Sequence, residues 1–123
     1  MTEQFKLSEE LKPIIFILNQ IFEIEKKLVK IKEKNSIMRN VEKLKEYFET
    51  GFLGMDLSIT YHNPIGEKYD ETRTDCEASI AGTSDEDLVI TEVIKPIIRI
   101  KQHGRTFIIQ RAVVIVESIN KGE

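Results

Sequence analysis

His62 and His103 are the only two histidines, and Cys76 the only cysteine, in a chain of 123 residues. Imidazole or thiolate chemistry therefore has three places to occur. Each histidine lies beside a turn signal, Asn63-Pro64 for one and Gly104 for the other, and no carboxylate or cysteine stands at ligand spacing from either. A metal site is not expected from such a pattern. Cys76 falls at an inward-facing position of an alternating segment, where a buried thiol is inert. Asp75 and Glu77 share one face of that segment, and an ordinary solvated face accounts for them without an acid–base pair. The acidic run Asp85-Glu86-Asp87 lacks the alternating ligands and the glycine of a calcium loop. Neither a glycine-rich phosphate loop nor a nucleophile elbow occurs. No catalytic residue, metal or cofactor is expected, which leaves binding.

The strongest local instruction lies in the last third of the chain, residues 90–117. The arms Ile97-Ile98-Arg99-Ile100-Lys101 and Thr106-Phe107-Ile108-Ile109-Gln110 are β-branched and aromatic. They flank Gln102-His103-Gly104-Arg105, where Gly104 supplies the positive φ of a tight turn. This is a β-hairpin with a basic tip. Such a hairpin is not stable alone in water, so more sheet, a helix or a partner protein must cover it.

Size and charge limit what the remainder can supply. With 41% hydrophobic residues the chain can form one modest core, or two small subdomains sharing one. The net charge of −3 provides no general attraction to nucleic acid or to an anionic membrane. Residues 14–18 are the longest apolar run of the amino-terminal half, far too short to span a bilayer. A lone cysteine closes no intrachain disulfide, and no secretory leader pattern opens the sequence, so a cytoplasmic protein is expected.

Ser8, followed by Glu9 and Glu10, reads as the cap of a first helix. Pro13 is expected at the end of its first turn or at a slight kink. Leu11, Ile14, Ile15, Leu18, Ile21, Phe22, Leu28 and Val29 recur at helical spacing, and Phe16, Ile17 and Ile24 widen the stripe. Residues 26–34 read as the exposed end of the same helix. Asn35-Ser36 caps a second helix with Ile37, Val41, Leu44 and Phe48 on one face, ended by Gly51 and Gly54. A helical hairpin with two apolar sides doubles most economically into a four-helix bundle. A homodimer is therefore expected, with Ile14, Leu18, Ile21, Phe22, Val41, Leu44 and Phe48 at the interface. The other reading is that the wide stripe packs on the chain's own sheet.

Beyond Gly54 the period changes to two. Leu57, Ile59 and Tyr61 mark one strand, Cys76, Ala78 and Ile80 another, and residues 88–95 a third, which Pro96 interrupts. Residues 65–70 and 82–87 read as turn and loop. Ala112-Val113-Val114-Ile115-Val116 is expected to be buried on both faces, and residues 118–123 to form a frayed tail. The fold class is α+β: a helical dimerisation region over 1–54, then a small β-domain over 55–123 that carries the hairpin.

Several of these residues also form a recognisable series. Gly66-Glu67-Lys68-Tyr69-Asp70, the pair Glu77-Ala78, the acidic loop and Arg111-Ala112-Val113-Val114-Ile115-Val116 resemble the carboxy-terminal domain of the GrpE family. Leu11-Lys12-Pro13-Ile14-Ile15 is similar to the start of that family's helix-bundle region. Two extra residues separate Asp70 from the Glu77-Ala78 pair, Cys76 stands where the family has histidine, and Lys95-Pro96-Ile97 replaces a glycine-tyrosine step. The chain thus resembles a short and diverged member. GrpE proteins are nucleotide exchange factors of DnaK-type heat-shock chaperones, so the resemblance implies a homodimeric co-chaperone of protein folding and the stress response. Its β-domain would dock on the chaperone's nucleotide-binding domain and favour ADP release, with no bond broken. The partner-facing residues would be Arg105 at the tip, His103 and Gly104 in the turn, and Val93, Lys95 and Arg111. A dimeric adaptor that keeps the fold without exchange activity is the other function that the resemblance leaves open.

Overall fold

The computed structural model describes residues 11–31, 36–50 and 57–119. Two helices come first, α1 (Lys12–Val29) and α2 (Ile37–Glu49), followed by seven strands. These are β1 (Leu57–His62), β2 (Lys68–Tyr69), β3 (Cys76–Ile80), β4 (Leu88–Lys95), β5 (Ile97–Gln102), β6 (Arg105–Gln110) and β7 (Ala112–Ser118). The class is α+β. The chain divides into two compact units. A helical unit takes in Met1–Tyr61 together with Arg99–Ile109, and a sheet unit takes in His62–Ile98 together with Gln110–Glu123. The hairpin therefore groups with the helices, although it follows the β-rich stretch in sequence.

In the helical unit, Pro13 stands inside the first turn of α1, where its missing N–H removes no helical hydrogen bond. Ser8, Glu9 and Glu10 lie outside the described residues, as do Asn35, Gly51 and Gly54. Lys26 and Lys27 occupy the last turn of α1, where cations complement the dipole. The helix ends at Val29, so 26–29 form its last turn, while residues 32–34 of the expected extension lie outside the described residues. Ser36 holds the N-cap position of α2 without a side-chain capping bond. Leu18, Ile21, Phe22 and Leu28 of α1 are buried, with Val41 and Phe48 of α2. A three-stranded sheet, ordered β1-β5-β6, buries Leu57, Ile59 and Ile100.

Two polar contacts on Glu25 join three elements of this unit. The Tyr61 hydroxyl on β1 donates to Glu25 Oε1 on α1 at 2.5 Å, and Lys45 Nζ on α2 donates to Glu25 Oε2 at 3.3 Å. Lys45 also lies 4.9 Å above the Tyr61 ring, and Phe22 meets that ring edge-on at 5.9 Å. Burial, followed by the hydrogen bond to Glu25, pushes the Tyr61 hydroxyl well above the ordinary tyrosine range. A group whose folded pKa is raised contributes fully below its unfolded pKa, about 10 for tyrosine, and loses that contribution as pH rises beyond it. Tyr61→Phe is expected to cost about 1–2 kcal/mol near neutrality by removing this hydrogen bond. It should also flatten the alkaline decline in urea midpoint above roughly pH 10.

The sheet unit is a mixed sheet ordered β2-β4-β7-β3. Its centre is β7, antiparallel to β4 and parallel to β3, with Cys76 opposite Ala112 and Ile80 opposite Val116. Only one face of β7 is fully buried, through Ala112, Val114, Val116 and Ser118. Val113, Ile115 and Glu117 are half-exposed. The expectation of burial on both faces fails because a continuous β-branched run does not distinguish a two-sided core from a half-exposed face. Ser118 belongs to the strand and is buried, not part of a frayed tail. Register shifts in β4 between Ile90 and Glu92, and between Val93 and Lys95, explain its altered phase. Leu88, Ile90 and Val93 all face inward despite their uneven spacing.

Candidate partner-binding surface

The turn between β5 and β6 is two residues long, His103 at φ 53° and Gly104 at φ 77°. Two consecutive left-handed residues make a type I′ turn, whose twist matches that of the strands it joins. The arms therefore run one residue further than their composition suggests, through Gln102 and from Arg105. Ile100 is buried and anchors the hairpin, while Lys101, His103, Arg105 and Thr106 are exposed at its end. Beside the turn, Glu49, Thr50, Leu57, Ser58, Lys101, His103 and Gly104 line a cleft of about 300 Å³. Hydroxyl, carboxylate and ammonium groups face it, a lining suited to holding a polar surface.

The other residues expected to face a partner are placed elsewhere. Val93, Lys95 and Arg111 belong to the sheet unit and Arg105 to the helical unit. Val93 is 3% exposed, an interior residue of β4 that presents nothing to a partner. Lys95 is exposed at the end of β4, opposite Val113. Arg111 is exposed but engaged: its guanidinium donates to the Thr74 carbonyl at 3.1 Å and the Cys76 carbonyl at 2.8 Å, and meets Glu77 at 3.3 Å. It fastens the edge strand β3 beside β7.

The residues expected at a dimer interface are largely taken up by the chain itself. Leu18, Ile21, Phe22, Val41 and Phe48 are buried and Ile14 is half-buried, whereas Leu44 remains 48% exposed. The apolar side chains that do reach the surface are Phe16, Ile17, Ile24 and Val29 on α1, and Ile37, Met38, Leu44 and Tyr47 on α2. The wide stripe thus spans a buried face and an exposed one, and periodicity alone does not distinguish them.

A connected ionic cluster in the sheet unit was invisible to spacing arguments. Glu67 N–H bonds the Pro64 carbonyl at 3.1 Å, and Gly66 at φ 84° occupies the position where a type II turn requires positive φ. That turn returns Glu67 to His62, whose Nε2 lies 2.6 Å from Glu67 Oε2. Arg73 Nη2 meets Glu67 Oε1 at 3.2 Å, and the guanidinium grips Asp75 through Nε at 2.9 Å and Nη2 at 3.2 Å. Asp70 accepts from both the backbone and the hydroxyl of Thr72, which shapes the turn that presents Arg73. The one available signal was Asn63-Pro64 followed by Gly66, which doubles the chain back. Gly66, Glu67, Asp70, Glu77 and Arg111 therefore all have structural work in turns and ion pairs.

Hydrogen bonding to Arg73 lowers the Asp75 carboxyl. Burial opposes ionisation of Glu67, yet His62 and Arg73 outweigh it and hold that carboxyl low as well. Depressed carboxylates contribute stability above their unfolded values, about 3.9 for Asp and 4.3 for Glu, and lose it as pH falls through the folded values. Arg73→Ala is expected to cost about 2 kcal/mol, with the exposed side of the cluster screened by water. The acid limb of a thermal stability profile below roughly pH 4 should become shallower. Burial raises the Cys76 thiol to about 11, so it stays protonated and unreactive at neutral pH.

A second cleft of about 440 Å³ in the sheet unit is lined by Tyr69, Ala78, Ile80 and Leu88 and by the acids Asp70, Glu71, Asp85 and Asp87. Among the described residues no group of three or more His, Cys, Asp or Glu is arranged to hold a metal ion. No helix there is long and apolar enough to cross a membrane. No family model, no curated protein and no solved structure matches the chain.

Proposed function

We propose that the protein is a cytoplasmic GrpE-like co-chaperone, a dimer that binds the nucleotide-binding domain of a DnaK-type chaperone and promotes ADP release without itself catalysing a reaction. The observation that carries this reading is the exposed, arginine-bearing type I′ hairpin, grouped in one compact unit with the helix pair. A short turn with both φ values fixed costs little entropy on docking, so it suits a rigid element inserted into another protein. The resemblance of residues 66–70, 77–78 and 111–116 to the GrpE family adds to it. In this arrangement the helices would form a four-helix bundle across two copies through their outer apolar faces, and the hairpin of the same unit would meet the chaperone.

Exchange activity requires only that the protein bind the open nucleotide cleft better than the closed one. Reciprocity then obliges ADP to weaken the protein by the same factor that the protein weakens ADP. Titration calorimetry of the protein into the nucleotide-binding domain, with and without saturating ADP, tests this directly. Binding about tenfold or more weaker with ADP supports exchange, and equal affinity would refute it. A dimeric adaptor without exchange activity is the second reading, favoured by the burial of Val93, which removes one contact that the resemblance implies. It is adopted if binding occurs but is indifferent to nucleotide.

A further inference from the structure

The outer edge of β6 has the makings of a strand-docking site. Among the described residues, both β1 and β6 are outer strands of the sheet ordered β1-β5-β6, but they differ in exposure. No residue of β1 is exposed, whereas Arg105, Thr106 and Ile108 of β6 are, Ile108 at 40%. The two-residue turn pairs Gln102 with Arg105, so the backbone N–H and C=O groups of Thr106 and Ile108 point away from β5. Residues 106–109 contain no proline and no charge, the usual devices that blunt an open edge. The hairpin's own charge has one sign: Arg99, Lys101 and Arg105 are its charged residues and no carboxylate lies between Ile97 and Gln110, in a chain of net charge −3, although Glu49 of α2 lines the cleft beside the turn.

We infer that β6 is a β-augmentation site for an acidic, extended segment of a partner protein. The segment adds as a fourth strand beside β6, its backbone bonding Thr106 and Ile108 while its carboxylates meet Arg105 and Lys101. A second copy of the chain is a poorer occupant, because edge-to-edge pairing sets the same cationic hairpin against itself. This concerns the hairpin of the preceding section but does not depend on nucleotide exchange.

The test uses the intact protein and a fluorescent peptide of about eight residues that alternates Asp or Glu with Val, read by anisotropy. Three control probes accompany it: the same peptide with alternate amides N-methylated, a lysine counterpart, and the acidic peptide against Ile108→Pro. Saturable binding of the acidic peptide is expected, with about tenfold or greater loss for N-methylation, for lysine and for Ile108→Pro. The N-methylated peptide decides the matter even if Ile108→Pro fails to fold. No binding, or equal binding of the N-methylated peptide, overturns the inference. So does self-association that β6 substitutions abolish, which would make a second copy the occupant. Peptide binding without any effect of nucleotide would leave this site standing while the exchange reading falls.

Discussion

Leu18→Asp is expected to unfold the helical unit rather than to split an oligomer. Leu18 is 1% exposed within a single chain, among the buried side chains Ile21 and Phe22 of the same helix. A carboxylate there has no partner, so it either carries a large desolvation cost or binds a proton and still leaves polar atoms unsatisfied. The loss is about 3–5 kcal/mol, a large share of the roughly 5–15 kcal/mol by which a domain of this size is stable. Far-UV circular dichroism at 25 °C should show collapse of the helical signal, and any folded remainder should unfold at a much lower urea concentration. Retention of native helicity would mean that α1 does not contribute its inner face to the core.

Substitution of the outer helical face should behave in the opposite way. Ile24 and Leu44 are 44% and 48% exposed, so Ile24→Asp with Leu44→Asp removes little buried area from the single chain. Each should change monomer stability by under about 1 kcal/mol. If two copies meet through these faces, the same pair of carboxylates becomes unpaired at the interface, and dissociation should be favoured by about 100-fold or more. Sedimentation equilibrium should then report 14.3 kDa per particle for the double variant, against twice that mass for the native protein. A mass unaltered by the substitutions would place the contact between copies elsewhere.

These two experiments differ because the apolar stripe of α1 is wider than any one neighbour can cover. Helical periodicity locates the stripe, yet it does not say which portion faces the chain's own sheet: Leu18 and Phe22, expected between two copies, are buried within one. The hairpin was legible for a local reason: β-branched arms around His103-Gly104 specify their own pairing within a few residues. The parallel pairing of β3 with β7 was not legible. It joins residues 76–80 to 112–116, and strand composition does not name a distant partner. The Arg73 cluster was hidden for the same reason, since Glu67 reaches His62 only after the Gly66 turn reverses the chain. Spacing predicted neither the ion pairs nor the anchoring of β3 by Arg111.

The proposed docking of the hairpin on a DnaK-type chaperone is tested most directly by the rate at which ADP leaves that chaperone. A fluorescent ADP analogue bound to the chaperone and chased with excess unlabelled nucleotide reports that rate in a stopped-flow instrument. Addition of the native protein should accelerate release by about tenfold or more, and Arg105→Glu should remove most of the acceleration while leaving the protein folded. An unchanged release rate at saturating protein, with every DnaK-type chaperone of the source cell, would contradict the account.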